Sequence, residues 1–251
     1  MTSTATPSTE RPPAARTRTH PDTNPGTAAR IAGVGYVILF ALGIFANFFV
    51  REGLIVSDDA QATAANIADS EGLFRLGMVA FLTIFLLDVV VAWALYIVFR
   101  NADHDLSLLT AWFRLVYTVF LGAALIYFSQ ALQLLDGAAS LTAIGTRQRE
   151  AQALLALETF NSAWLIGLAA FGLHVILLGG LVLRSRYAPK ALAYVLIAAG
   201  AAYVLDTTAH TLLTNYTDYE TLFITGVAVP AVIAEGWFGL WLLFRAGKRS
   251  G

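Results

Sequence analysis

Six stretches of nearly unbroken apolar sequence constrain this chain more than any other feature. They run over residues 31–50, 73–99, 106–135, 160–183, 191–213 and 221–244. Each is close to the roughly 20 residues that a helix needs to cross about 30 Å of hydrocarbon. In lipid a backbone N–H or C=O finds no water, so a segment this long must satisfy its polar groups internally and be helical. The expected fold is all-α, a polytopic membrane bundle of six transmembrane helices. Only 13% of the 251 residues are charged, against about 25% in ordinary soluble domains. Pro230 falls inside the sixth run and should kink it.

Residues 1–29 differ from everything that follows. Five of the seven prolines and eight threonines sit there, and no aromatic residue does. Such a segment buries too little apolar area to offset its ordering entropy, so it reads as a disordered arm preceding a six-helix domain over 30–247. Sixteen Lys and Arg against seventeen Asp and Glu leave no basic surplus, which excludes a nucleic-acid partner. The absence of cysteine removes disulfides, thiolate metal sites and covalent haem attachment together.

Charge asymmetry between the connecting segments gives an orientation. The arm, the loops at 100–105 and 184–190 and the tail hold eleven Lys and Arg, whereas 51–72, 136–159 and 214–220 hold three. By the positive-inside rule both termini are cytoplasmic. The expected location is the cell inner membrane, crossed several times. The second set of segments also carries ten carboxylates, an acidic external face. Residues 154–158 suggest an interfacial helix leading into the fourth span.

Ionisable residues inside the spans are the candidates for function, since a charge at the bilayer centre costs on the order of 2.5–3.5 kcal/mol on insertion scales. Asp88, His174, Asp206, His210 and Glu235 all lie within apolar runs, expected between the midplane and the outer leaflet and close enough in depth to meet if their faces turn inward. Arg75 sits at the outer rim, and Arg114 in the inner third is placed to snorkel or to pair with a carboxylate. On the fifth span Tyr203, Asp206, Thr207, His210 and Thr214 recur at spacings of three and four, one polar stripe. Asp206 and His210, four apart, are placed to touch, and a carboxylate on an imidazole fixes its tautomer and raises its basicity.

Three function classes are open to such a cluster. It locks helices together in a non-catalytic membrane protein, or it handles protons or a small ligand as a carrier or sensor. The third class is an intramembrane metal-dependent lipid hydrolase. His174, Asp206, His210 and Glu235 would then be the metal ligands, and carboxylate plus imidazole suits zinc. No other cofactor is expected. Membrane lipids are the expected partners, with a homo-oligomer or another membrane protein also open. Glycine-rich phosphate loops, G-x-S-x-G elbows and H-E-x-x-H pairs are absent from the sequence.

Several short patterns coincide with a known family. They are Arg30-Ile-Ala-Gly-x-x-Tyr36, Ala46-Asn-Phe-Phe-Val-Arg51, Glu71-Gly-Leu-Phe-Arg-Leu-Gly77, Asp206-x-x-x-His210 and Glu235-x-Trp237. Over roughly residues 30–247 the chain resembles the bacterial integral-membrane family called domain of unknown function 4386. The resemblance implies a helical integral-membrane fold and brings no activity with it.

Overall fold

The structure is a computed structural model and describes residues 23–136, 144–185 and 188–244. It is helical, with α1 over Pro25–Ile44, a π-helical turn over Phe45–Arg51, and α2 over Glu52–Leu54. Then follow α3 (Ala60–Asp69), α4 (Glu71–Phe99), α5 (His104–Leu135), α6 (Thr146–Ser185), α7 (Lys190–Leu212) and α8 (Glu220–Phe244). Six segments are long and apolar enough to cross a membrane, as expected: Pro25–Leu54, then α4, α5, α6, α7 and Tyr216–Phe244.

Local chemistry sets the helix ends. Asn24 caps α1, its Oδ1 accepting from the Gly26 N–H at 2.7 Å, and Pro25 takes the first helical position, where a missing N–H costs nothing. The helix thus begins inside the segment assigned above to the arm; residues 1–22 lie outside the described residues. Asp59 and Asp103 cap α3 and α5 in the same way. The expected interfacial helix before the fourth span is absent from the described residues. Instead α6 runs 40 residues without a break, about 60 Å, so its first turns project beyond the bilayer and pack on α3. The sixth span stays helical through Pro230.

The spans form a ring in chain order. Each packs on its predecessor and its successor, and α8 returns to pack on α1. Because the six spans alternate in direction, Pro25 and Phe244 fall on one face, called here the terminal side. Helix α5 packs on both α4 and α6. Beyond mid-depth the space among the three is filled by Phe74 stacked on Phe128 at 4.4 Å and by Phe81 edge-on to Phe160 at 5.2 Å. Toward the terminal side Tyr36, Phe99, Phe238 and Trp241 make a second aromatic group.

Glycines bring the backbones close where the ring is tight. A Cβ on Gly200 would meet the Gly172 carbonyl at 2.5 Å, and one on Gly172 the Gly200 carbonyl at 2.7 Å, so α6 and α7 cross backbone to backbone. A Cβ on Gly33 would meet the Leu243 nitrogen at 2.6 Å, which closes α1 against α8 near the terminal side.

Candidate functional site

Each of the six spans places one polar side chain at nearly the same depth. Counted from the terminal side, Tyr36 stands eleven residues from Pro25, Asp88 eleven from Phe99 and Arg114 ten from His104. His174 is eleven from Ser185, Tyr203 thirteen from Lys190 and Glu235 nine from Phe244. At 1.5 Å per residue these positions lie about 14–20 Å from the helix ends, the middle of a hydrocarbon layer about 30 Å thick. The ring therefore closes on a polar layer at mid-membrane.

Arg114 is its hub. The side chain is buried, and its Nε donates to Asp88 Oδ1 at 2.9 Å while its Nη2 donates to the same oxygen. Its Nη1 donates to the Tyr36 hydroxyl at 3.0 Å and to His174 Nε2 at 3.2 Å. A guanidinium has five N–H donors and these contacts use four. The rings of Tyr36 and Phe171 lie 5.1 and 5.5 Å from its central carbon, adding cation–π attraction from two sides. Of the two placements open to Arg114, the structure shows the carboxylate pair. Asp88, which has no polar neighbour on its own helix, finds its partner across the α4–α5 contact.

The same contacts fix His174. Arginine only donates, so His174 Nε2 must accept, and the proton sits on Nδ1, which donates to the Thr110 carbonyl at 2.8 Å. Both ring nitrogens are engaged, and no lone pair is left for a metal.

Glu235 and Tyr203 complete the layer from α8 and α7. The Tyr203 hydroxyl donates to Glu235 Oε1 at 3.0 Å, and both residues are half-buried. Phe171 joins this pair to the hub, lying 5.4 Å edge-on from the Tyr203 ring while its other contacts reach Arg114 and His174. Glu235 lies within electrostatic reach of Arg114. Among the described residues, however, the layer's ion pair is Arg114–Asp88, and Glu235 has a hydroxyl and no cation of its own.

Asp206 and His210 do not join this layer, contrary to the expectation that all five titratable groups would meet. They lie one and two turns farther along α7, toward the opposite side. Nor does the expected Asp206–His210 pair form among the described hydrogen bonds. Tyr216, in the 3-10 turn Tyr216–Tyr219, takes both partners instead. Its hydroxyl donates to Asp206 Oδ1 at 2.7 Å, and its ring meets the His210 ring edge-on at 4.5 Å. Thr207 donates to the Leu165 carbonyl on α6, so the polar stripe fans out to three neighbours.

The four side chains offered as zinc ligands are therefore apart. His174 is bound to Arg114 and Thr110, Asp206 to Tyr216, and Glu235 to Tyr203, while His210 is exposed. Among the described residues, no three His, Asp or Glu side chains gather to hold a metal ion. Arg75 lies in the first turns of α4, paired with Glu71 at 2.5 Å and Asp136 at 3.0 Å, and so ties the start of α4 to the end of α5.

Tyr36, Tyr216 and Phe171 escaped sequence reasoning as functional residues. An aromatic in an apolar run carries no signal of its own there. The usable clue for Tyr36 was depth, since its distance from the terminal side equals that of Asp88 and His174. A further group missed in sequence is at the opposite end, where Arg51 leaves the π-helical turn and lies 5.5 Å from the Trp164 ring. It donates to Asn47 at 3.2 Å and to Asn161 at 3.4 Å.

A protein of Archaeoglobus fulgidus, named only "Uncharacterized protein", is similar to this chain. The two are 28% identical over 173 residues, which cover 69% of this chain and 85% of the relative. No solved structure matches. The model of the family described as "Domain of unknown function (DUF4386)" matches residues 31–246, and the chain belongs to that family.

Proposed function

We propose that the chain is a non-catalytic, multi-pass protein of the cell inner membrane that handles a proton or a small ligand at the Glu235–Tyr203 pair. One observation carries the reading. Arg114 is neutralised by Asp88 and further engaged by Tyr36 and His174, whereas Glu235 is a mid-membrane acid with no ion-pair partner among the described residues. An intramembrane ionisable group of this kind marks a ligand or proton pathway by default. Its exchange of a proton leaves the Arg114–Asp88 lock intact, which separates a working group from the groups that hold the ring. The lipid-hydrolase reading finds no support in a ligand set whose members face different partners.

Infrared difference spectra of the protein in nanodiscs, between acidic and alkaline buffer, test this. The expected result is a carboxyl band that is lost in Glu235→Gln and shifts in frequency in Tyr203→Phe, where one hydrogen bond is gone. An unchanged band in Glu235→Gln would remove the assignment.

The orientation belongs to the same proposal. Eleven basic residues on one set of segments against three on the other support a cytoplasmic location for both termini. Reporter fusions at residue 251 should read cytoplasmic, and fusions within 55–59 or 214–218 should read external; the reverse pattern overturns the orientation. Lipids are the proposed partners of the exposed apolar faces.

A further inference from the structure

The ring is closed on the terminal side of the polar layer and parts on the other. Helix α8 buries nothing before Ala231. The face that carries Ala231, Ala234 and Phe238 continues outward as Phe223, Val227 and Pro230, at helical spacing, but these are only half-buried. Over the same depth α1 and the π-helical turn after it stay on α4, where Val50 of that turn fills the space beside Gly77. Close contact between α1 and α8 is made by Gly33 on Leu243 and by Gly239 on Tyr36. One turn or more farther out, a Cβ added at Gly43, Gly226 or Gly236 would meet nothing within 4 Å. Two helices that touch below the layer and separate above it leave a cleft with Tyr203 and Glu235 at its closed end.

The charge on α7 and α8 has one sign. Between Lys190 and Arg245 the sequence has no Lys or Arg, while it holds Asp206, Asp218, Glu220 and Glu235. Asp206 and Glu235 are each held by a tyrosine hydroxyl and not by a cation. Aromatic rings lie beside these acids, with Tyr216, the partner of Asp206, stacked on Phe223 of α8 at 5.3 Å and Phe171 edge-on to Tyr203, the partner of Glu235, at 5.4 Å. Such rings favour cations over anions. A lipid chain alone suits apolar walls but leaves the carboxylate at the floor uncompensated.

We propose that the cleft between the outer parts of α1 and α8 binds a hydrophobic organic cation, whose charge is neutralised by the Glu235 carboxylate. This rests on the proposed role of Glu235 and adds the ligand's class. Proton and ligand then compete for one carboxylate, so binding is coupled to proton release.

The test uses two ions of the same shape and opposite charge, tetraphenylphosphonium and tetraphenylborate. Each is presented to the full chain in nanodiscs, with empty nanodiscs measuring partition into lipid. Saturable, one-to-one binding of tetraphenylphosphonium is expected, weakened at least tenfold in Glu235→Gln and strengthened as pH rises. Tetraphenylborate should show lipid partition alone. Val227→Trp fills the cleft without touching the carboxylate; it should weaken binding while leaving the infrared band of Glu235 in place. Thermal unfolding of each variant confirms that it is folded. Equal binding of both ions, or full binding by Glu235→Gln, overturns the proposal. If tetraphenylphosphonium fails to bind while the Glu235 band still titrates, the ligand class is wrong and the proton reading survives. Loss of both removes the two together.

Discussion

Replacing either Asp88 or Arg114 with alanine should lower the unfolding free energy by about 3–5 kcal/mol, the usual cost of breaking a buried pair by removing one partner. The side chains are 2–3% exposed and the ion has no route to water from mid-membrane. In Asp88→Ala the guanidinium keeps Tyr36, His174 and two ring faces but loses the carboxylate it is bonded to. In Arg114→Ala three acceptors lose their donor at once, those of Asp88, Tyr36 and His174. Replacing both by leucine should recover most of the loss, because an apolar pair carries no desolvation penalty. Denaturant or thermal unfolding in mixed micelles reads each value. Wild-type stability in both single variants would show that Arg114 is not the hub of the layer.

The second large effect is expected at a crossing with no side chains to yield. Gly172 and Gly200 bring α6 and α7 together so that a Cβ on Gly200 meets the Gly172 carbonyl at 2.5 Å and the Ile176 nitrogen at 2.7 Å. Backbone atoms on both sides cannot rotate away. Gly200→Ala should therefore cost about 1–3 kcal/mol by overpacking, and Gly200→Leu more. Gly180, on the same α6, meets nothing within 4 Å. There alanine should be neutral or stabilise by up to about 1 kcal/mol through helix propensity. Equal effects at positions 200 and 180 would contradict the close crossing.

The architecture was legible in sequence because lipid removes alternatives: a run of about 20 apolar residues must be helical and must cross. Six runs predicted six spans, and the depths of Asp88, His174 and Glu235 were readable by counting from the helix ends on the terminal side. What counting from the helix ends could not give was azimuth. Asp206 and His210 share a face of α7 with Tyr203, yet their partner is Tyr216, whose reach depends on how the 3-10 turn folds back at the end of the helix. The hub was half visible. Arg114 announced a charge needing an acid, but Tyr36, Thr110 and Phe171 join it through tertiary packing that no single helix records. The family patterns look different with the ring assembled. Tyr36 ends one of them at the hub, Arg51 ends another against Trp164, and Gly77 ends a third under Val50.

The division of labour in the layer, Asp88 holding Arg114 and Glu235 left free to exchange, is tested most directly by two double-mutant cycles sharing Arg114. Unfolding free energies are measured in acidic buffer for the pairs Asp88/Arg114 and Glu235/Arg114. The expected coupling is about 1.5 kcal/mol or more for Asp88 with Arg114, as for other close charge pairs. For Glu235 with Arg114 the two substitutions should add to within about 0.5 kcal/mol. A coupling of Arg114 to Glu235 as large as that to Asp88 would contradict the division and make both acids part of one lock.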